Sequence, residues 1–174
     1  FFSFKDTDGL TFESAYGMLC MKLAFAFQDY QFLLDDDAIS DDDKGIFKRI
    51  LGRTASMDET KSCFLLLTRM LEIHFKKSAV VILDEYDVPI AKASSNGYYS
   101  QMLDVMRAMM STTLKDNTSL DFAVVTGCLK IAKESIFTGT NNFVSDTILS
   151  PRLSESFGFT QTDVDQMLKD AGLE

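Results

Sequence analysis

The feature that most constrains the fold is a run of five apolar residues, Ala79 to Leu83, that leads directly into the acidic pair Asp84 and Glu85. A continuous apolar run rich in β-branched residues is typical of a strand buried on both faces of a parallel sheet. Ligands of such sheets bind beyond the carboxyl ends of the strands. The run therefore predicts an α/β fold and puts two carboxylates where a ligand would bind.

Strand patterns and helix patterns alternate along the rest of the chain. By the crossover rule, this alternation predicts a mainly parallel sheet with helices on both faces. Capping residues and apolar periodicity give the bounds of each element. The predicted strands are 1–4, 79–83, 120–126 and 144–149, and the predicted helices are about 11–30, 40–52, 56–75, 98–114 and 160–168, with a loop over 86–97 that contains Pro89.

Composition and charge limit the classes of function. The chain has 174 residues, 46% of them hydrophobic, which suits one globular domain. Its formal net charge of −9 disfavours direct binding of nucleic acid, which needs clustered Lys and Arg. No apolar run reaches the roughly 18 residues that span a bilayer, so no membrane contact is expected. Three cysteines without metal-ligand spacing favour buried thiols in a reducing, cytoplasmic setting.

The acidic pair predicts magnesium and nucleotide chemistry. Phosphoryl transfer needs charge neutralisation on the phosphates and an oriented water, and positioned side chains supply both. We expect Asp84 to hold Mg²⁺ through its water shell and Glu85 to polarise the attacking water. Thr126, at the end of a neighbouring strand, is well placed to sense the γ-phosphate or that water. Arg152 is a candidate arginine finger, although a surface or capping arginine is the commoner role.

Other interpretations of the same residues stay open. The two acids are solvated loop residues in the simplest alternative, and a two-metal nuclease would use Asp84, Glu85 and Asp87. The nuclease interpretation lacks a later Glu-x-Lys on a neighbouring strand. The acidic segment over 35–43 lacks the alternation and the central Gly of an EF-hand, so we expect it to be solvated. Methionines at helical spacing within 98–114 predict core filling rather than a binding surface.

Several strings of the sequence resemble one known family, the AAA-ATPase-like domain of bacterial and some microbial eukaryotic proteins. The strings are spread over nearly the whole chain and are more specific than an isolated acidic pair. They are FSFKD at 2–6, VILDEYDVPI at 81–90, TG at 126–127, SIFTG at 135–139, NNF at 141–143 and FGFT at 157–160.

The resemblance implies a P-loop NTPase core of the additional-strand type, with ATP and Mg²⁺ as its cofactors. It implies that Asp84 and Glu85 are the Walker B pair, that Thr126 is a sensor-like residue and that Lys130 contacts the nucleotide. Members of this family typically carry a Walker A loop upstream. Many also carry a PD-(D/E)XK nuclease-like domain downstream, which would be the attached C-terminal effector.

The sequence departs from the family pattern in one respect. No Gly-x-x-x-x-Gly-Lys-Ser/Thr loop, the element that cradles the phosphates, occurs between Phe1 and Glu174. Because the chain opens at Phe1 rather than at Met, we expect an excised fragment. We predict a single partial domain over 1–174 that lacks the first strand, with 160–174 as the start of a lid or of a following helical segment.

The expected function is an ATPase that acts as a nucleotide-driven switch for the attached effector domain in the complete protein. We expect the chain alone to bind ATP weakly or not at all, and to be inactive, because the phosphate loop is missing. A non-catalytic interaction module on a degenerate ATPase fold stays open as the alternative. A homo-oligomer also stays open.

Overall fold

The structure is a computed structural model of the chain, and it describes residues 1–128, 136, 144–147, 150–153, 155 and 158–173. It divides into two compact units, Phe1–Thr140 and Asn141–Glu174, and the single partial domain stays a prediction. No helix among the described residues is both long and apolar enough to cross a membrane. In the first unit the strands are β1 (Phe2–Ser3), β2 (Ala79–Asp84) and β3 (Leu120–Val125). Its helices are α1 (Phe12–Gln28), a 3-10 helix (Gln31–Asp35), α2 (Asp41–Leu51), α3 (Met57–Lys61), α4 (Cys63–Phe75), α5 (Val88–Asn96) and α6 (Tyr99–Leu114). In the second unit the described elements are a 3-10 helix (Pro151–Leu153) and α7 (Gln161–Asp170).

The strands form one parallel sheet in the order β1-β2-β3. Leu83 of β2 pairs with Phe2 on one side and with Val125 on the other. The run of apolar residues is therefore the central strand, and it ends at Asp84. This confirms the predicted α/β class and the parallel strand direction.

The predicted cover of helices is found on one face of this sheet only, in the part of the chain that the structure describes. On the inner face Leu83 is 1% exposed, and α4 contacts β2 while α6 contacts β3. The outer face leaves a contiguous group of apolar side chains exposed to solvent. These are Val80 (48% exposed), Ile82 (39%), Phe122 (53%) and Val124 (37%), which we call the outer patch.

The helices begin where their capping residues predict. Thr11, Ser40, Ser56 and Thr160 each accept a backbone N–H in the first turn of α1, α2, α3 and α7. The helix predicted over 56–75 is instead two helices, because the chain leaves helical geometry at Ser62. The hydroxyl of Ser62 donates to the Asp58 carbonyl at 3.0 Å, a local bond that competes with helix continuation.

The prediction of a loop over 86–97 is wrong. Val88–Asn96 form α5, with Pro89 in the first turn. Proline is tolerated there because its missing N–H needs no intrahelical partner and its φ suits a helix. Gly97 then ends the helix at φ 82°. Of the last strand predicted over 144–149, residues 144–147 are described and are not in a strand, and 148–149 lie outside the described residues.

The methionine face of α6 belongs to the core, as predicted. The helix contacts α1, α3, α4 and α5, so it is surrounded by other helices. Unbranched thioether side chains fill such irregular interior space well. Met102, Met106, Met109 and Met110 are each 0% exposed.

The three cysteines are free thiols. Cys63 is buried and Cys20 is half-buried, and burial raises the pKa of both thiols. Cys128 is exposed, so the prediction of buried thiols is wrong for this residue. It lies in the turn after β3, at the edge of the sheet rather than beneath a helix.

Candidate functional site

The carboxyl ends of β2 and β3 bring two predicted site residues together. Asp84 is the last residue of β2, and Thr126 directly follows β3. The Thr126 hydroxyl donates to Asp84 Oδ1 at 2.5 Å. Backbone pairing continues past the strands, because Thr126 N–H donates to the Leu83 carbonyl at 2.9 Å and Tyr86 N–H donates to the Thr126 carbonyl at 3.2 Å. The backbone therefore holds both side chains at one edge of the sheet.

The loop after β1 starts at the same edge. Phe4 N–H donates to the Asp84 carbonyl at 2.8 Å, which extends the pairing of β1 with β2 by one residue. In the loop itself, the carbonyl of Lys5 accepts a hydrogen bond from Lys22 Nζ at 2.5 Å, which links the loop to α1. All three strands of the sheet thus end around Asp84, as expected for a ligand site of a parallel sheet.

Glu85 has a backbone conformation that few non-glycine residues adopt. Its φ is 55°, in the left-handed region, and Asp6 in the loop after β1 has φ 59°. Such a conformation costs a residue with a Cβ about 1–2 kcal/mol relative to the ordinary helical region. Arg53, Lys76 and Asp116 adopt the same backbone region in the turns that follow α2, α4 and α6, so the conformation by itself does not mark Glu85 as a functional residue.

A buried carboxylate lies behind this turn, and the sequence did not predict its burial. Asp87 is 3% exposed, and its Oδ1 accepts from Cys128 N–H at 3.3 Å. A Cβ on Gly127 would overlap this oxygen and lie 2.7 Å from Tyr86 Cε1. The turn after β2 and the turn after β3 therefore pack tightly against each other. A glycine directly after a predicted strand end was the signal that could have revealed this contact.

Two predicted site residues remain, Lys130 and Arg152. Lys130 is outside the described residues. Arg152 belongs to the second unit, where its guanidinium pairs with the Asp146 carboxylate. This hydrogen-bonded pair lowers the pKa of Asp146 and raises the pKa of Arg152. The role of Arg152 as an arginine finger stays a prediction.

The described residues contain no group of three His, Cys, Asp or Glu side chains arranged to hold a metal ion. A two-metal nuclease with Asp84, Glu85 and Asp87 as joint ligands finds no support in this geometry. Magnesium in nucleotide sites keeps several waters and needs only one or two carboxylates besides the phosphates. The single carboxylate of Asp84, held by Thr126, fits that second kind of site.

The chain is similar to known proteins over most of its length. A family model described as "Predicted AAA-ATPase" matches residues 2–137, which include Asp84, Glu85 and Thr126. A protein of Azotobacter chroococcum mcd 1, named "Uncharacterized protein in vnfD 5'region", is 31% identical over 121 residues, which make up 69% of this chain and 23% of that protein. No solved structure matches the chain.

The chain thus spans only 23% of the length of this relative. The family match confirms the resemblance inferred from the sequence, while the downstream nuclease-like domain stays a prediction. Because the family model covers 2–137 of the 174 residues, the chain belongs to the AAA-ATPase-like family of predicted AAA-ATPases.

Proposed function

We propose that this chain carries the magnesium- and water-binding half of an ATP hydrolysis site. The observation that carries the proposal is the hydrogen bond from Thr126 to Asp84, with Glu85 next in the chain. Membership of the family supports an ATPase-like domain. ATP would bind together with Mg²⁺, which neutralises charge on the phosphates during transfer.

Each residue of the pair and its partner has a separate role in this proposal. Asp84 is the Walker B carboxylate, and the bond from Thr126 holds it in position for the water shell of the ion. Glu85 polarises the attacking water as the general base. Thr126 can exchange its bond to Asp84 for one to the γ-phosphate, which makes it a sensor. Lys130 as a nucleotide contact and Arg152 as an arginine finger complete the proposed set.

The phosphate-binding half of the site is proposed to come from a strand and helix that carry a Gly-x-x-x-x-Gly-Lys-Ser/Thr loop in the complete protein. Two observations support this arrangement. The side of β3 that faces away from β2 has no partner strand among the described residues. The outer patch is apolar and exposed, as expected where a further helix packs on a parallel sheet. The proposed core is therefore a P-loop NTPase of the additional-strand type.

In the complete protein the domain would act as a nucleotide-driven switch for an attached effector domain. The connection between the site and the helices is short, because α5 begins at Val88, directly after the turn that contains Glu85 and Asp87. α5 in turn contacts α6 in the core, so a change in the turn on hydrolysis would reach two helices. If the complete protein lacks the Gly-rich loop, the alternative of a non-catalytic interaction module is favoured instead.

The central test replaces the proposed base in the complete protein. Glu85→Gln should bind Mg²⁺-ATP as the wild type does, while turnover falls by about 100-fold or more, because a general base contributes that much. Asp121→Asn is the matched control, since Asp121 is an exposed acid at the other end of β3. The control should change neither quantity. Loss of ATP binding by Glu85→Gln, or normal turnover, would contradict the assignment.

Two further measurements separate function from folding. The 174-residue chain alone should bind Mg²⁺-ATP weakly or not at all, and tight, Asp84-dependent binding would contradict the divided site. Glu85→Gly should leave the free energy of unfolding unchanged or higher, because glycine adopts positive φ without strain. The same change should abolish turnover in the complete protein. A purely structural Glu85 would show the opposite result, with stability lost.

A further inference from the structure

Asp87 lies at the start of α5, in a position from which aspartate ordinarily caps a helix. A side chain at the N-cap accepts the backbone N–H of the second or third helical residue, and aspartate is among the residues preferred there. Asp87 is the N-cap residue of α5, yet its side chain makes no capping hydrogen bond to that helix. The carboxylate therefore serves contacts outside the first turn of α5.

The backbone of Asp87 also differs from that of the residues that do cap their helices. In the capping residues of α1, α2, α3 and α7, ψ lies between 149° and 165°, the extended geometry that brings a side chain to the first turn. In Asp87 φ is −82° and ψ is −21°, which is helical geometry. Capping of α5 would therefore require a large rotation about ψ at Asp87.

The first turn of α5 has one amide that a capping side chain could bind. The second helical residue is Pro89, which has no N–H, so the N–H of the third residue, Ile90, is left for a cap. The N–H of Val88, the first helical residue, donates to the Glu85 carbonyl at 3.1 Å. Asp87 therefore lies close to the Ile90 amide in the chain without capping it.

The carboxylate of Asp87 contacts the turn after β3 instead. Its Oδ1 accepts from Cys128 N–H at 3.3 Å, and Asp87 is 3% exposed. Gly127 leaves room for this oxygen, because a Cβ there would overlap it. The carbonyl of Thr126 accepts from Tyr86 N–H at 3.2 Å. The turn after β2 thus contacts each of the three residues that follow β3.

We infer that Asp87 is a positioning residue of the candidate site, which leaves α5 uncapped and instead fixes the turn after β3. The Thr126 hydroxyl reaches Asp84 Oδ1 at 2.5 Å, so this bond depends on where the turn holds Thr126. Loss of the Asp87 carboxylate would release Cys128, two residues further on. The inference rests on the proposed function, in which Thr126 senses the γ-phosphate.

Amide hydrogen exchange in the complete protein tests the contact, with two substitutions of Asp87. Asp87→Ser keeps a good capping residue, but its hydroxyl is one bond shorter and does not reach the Cys128 amide. We expect exchange to become about 5-fold faster at Cys128 and about 5-fold slower at Ile90, which gains a cap. Asp87→Asn keeps an acceptor oxygen of the same reach, so both amides should exchange as in the wild type. A general loss of stability would instead make both amides exchange faster.

Gly127→Ala displaces the same carboxylate without changing Asp87, because the added Cβ would overlap its Oδ1. Exchange should again become faster at Cys128 and slower at Ile90, as the displaced carboxylate turns to α5. In the double variant with Asp87→Ala, no carboxylate is left to cap the helix, so slowing at Ile90 should disappear.

Turnover of Mg²⁺-ATP by the same variants tests the role in the site. Asp87→Ser should lower kcat by about 10-fold or more and change KM by less than about 3-fold, because the misplaced Thr126 acts during transfer. Asp87→Asn should restore kcat to within about 3-fold of the wild type.

The outcomes separate this inference from the proposed function. Normal kcat in Asp87→Ser beside an active wild type would overturn the inference alone, as would equal losses in Asp87→Ser and Asp87→Asn. Unchanged exchange at Cys128 in Asp87→Ser, or faster exchange at both Cys128 and Ile90, would also overturn it. A wild-type protein that binds no Mg²⁺-ATP would contradict the proposed function and with it the role in turnover, whereas exchange at Cys128 would still show whether Asp87 fixes the turn.

Discussion

Gly127 sits where the two turns of the candidate site meet. A Cβ at this position would overlap Asp87 Oδ1 and approach Tyr86 Cδ1 to 2.8 Å, and both of these residues belong to the turn after β2. The neighbouring Thr126 donates the hydrogen bond that orients Asp84. A side chain at 127 would therefore push apart the two turns that hold the site residues together.

Gly127→Ala should lower the free energy of unfolding by about 1–3 kcal/mol, the usual cost of forcing an extra carbon into a packed site. Gly17→Ala is the matched control, because a Cβ there meets nothing within 4 Å and lies inside α1. That change should raise stability by up to about 1 kcal/mol. Urea denaturation of both variants checks the prediction, which fails if the two substitutions shift stability in the same direction.

Among the single residues of the site, those whose position follows from the sheet alone could be predicted. Asp84 and Thr126 meet because the carboxyl ends of neighbouring parallel strands lie at one edge. The burial of Asp87 was harder to predict, because its partner Cys128 is 41 residues further along the chain and the only signal was the glycine that follows the predicted strand. The left-handed conformation of Glu85 could not be predicted from the sequence either, because no feature of the sequence near it requires positive φ.

At the scale of elements, an ion pair joins α2 to α3. Arg49 Nη2 lies 2.5 Å from Glu59 Oε1, and Glu59 Oε2 accepts from Ser56 N–H at 2.8 Å to close the capping box. The Arg49 hydrogen bond, followed by the Ser56 N–H, lowers the pKa of Glu59 from 4.5 to about 2. The ionised Glu59 carboxylate therefore stabilises the fold at pH values above its ordinary pKa of 4.5, and this contribution is lost as the pH falls through about 2.

Glu59→Gln removes the charge and keeps an oxygen that can accept from Ser56. We expect its Tm to be lower than that of the wild type near neutral pH, because the charge-assisted bond to Arg49 is lost. The difference in Tm should narrow as the pH falls from 4.5 toward about 2, where the wild-type carboxylate becomes protonated. Thermal unfolding across this range checks the prediction, with Glu13→Gln, an exposed residue of α1, as control. A difference that does not change with pH would contradict it.

Helix starts were predictable from the sequence because caps are local. Ser56 and Glu59 stand three residues apart, and the structure forms both bonds of the capping box. Two of the mispredicted elements depend on less obvious local choices. Ser62 divides α3 from α4 through its own hydroxyl bond, and Pro89 starts a helix rather than preventing one. A proline can lie in the first turn of a helix or can prevent a helix, and the sequence alone does not say which position it takes.

At the scale of the whole molecule, the outer patch is a contiguous apolar surface that the described residues leave exposed. Its side chains occupy matched positions on β2 and β3, since Val80 pairs with Phe122 and Ile82 with Val124. Contiguous exposed apolar surface promotes association between proteins. We therefore expect the 174-residue chain to associate weakly as its concentration rises.

Phe122→Lys should reduce this association, because it puts a charge at the most exposed position of the outer patch. The free energy of unfolding should change by less than about 1 kcal/mol, since the side chain is 53% exposed in the wild type. Sedimentation velocity over a range of concentrations checks the first claim and urea denaturation the second. Phe122→Leu is the control that keeps the patch apolar, and equal association of both variants would count against the prediction.

The class of the fold was predictable because β2 is apolar at every position before Asp84. That same pattern led to the expectation of helices on both faces, because residues on either side of the strand are equally suited to burial. Leu83 meets such a cover and Ile82 does not, at 1% and 39% exposure. The sequence of β2 suits burial on both faces of the sheet, and the described helices cover one of these faces.

The methionines of α6 have a consequence for oxidative damage. Peroxide converts a thioether to a sulfoxide only where it reaches the sulfur, and all four of these side chains are 0% exposed. Met57 and Met167, at 39% and 48% exposure, should react first. Sulfoxide on α6 would instead record that the core had opened, and its polarity would hinder closing. Sulfoxide formation on the methionines of α6 would therefore report how often the folded chain opens.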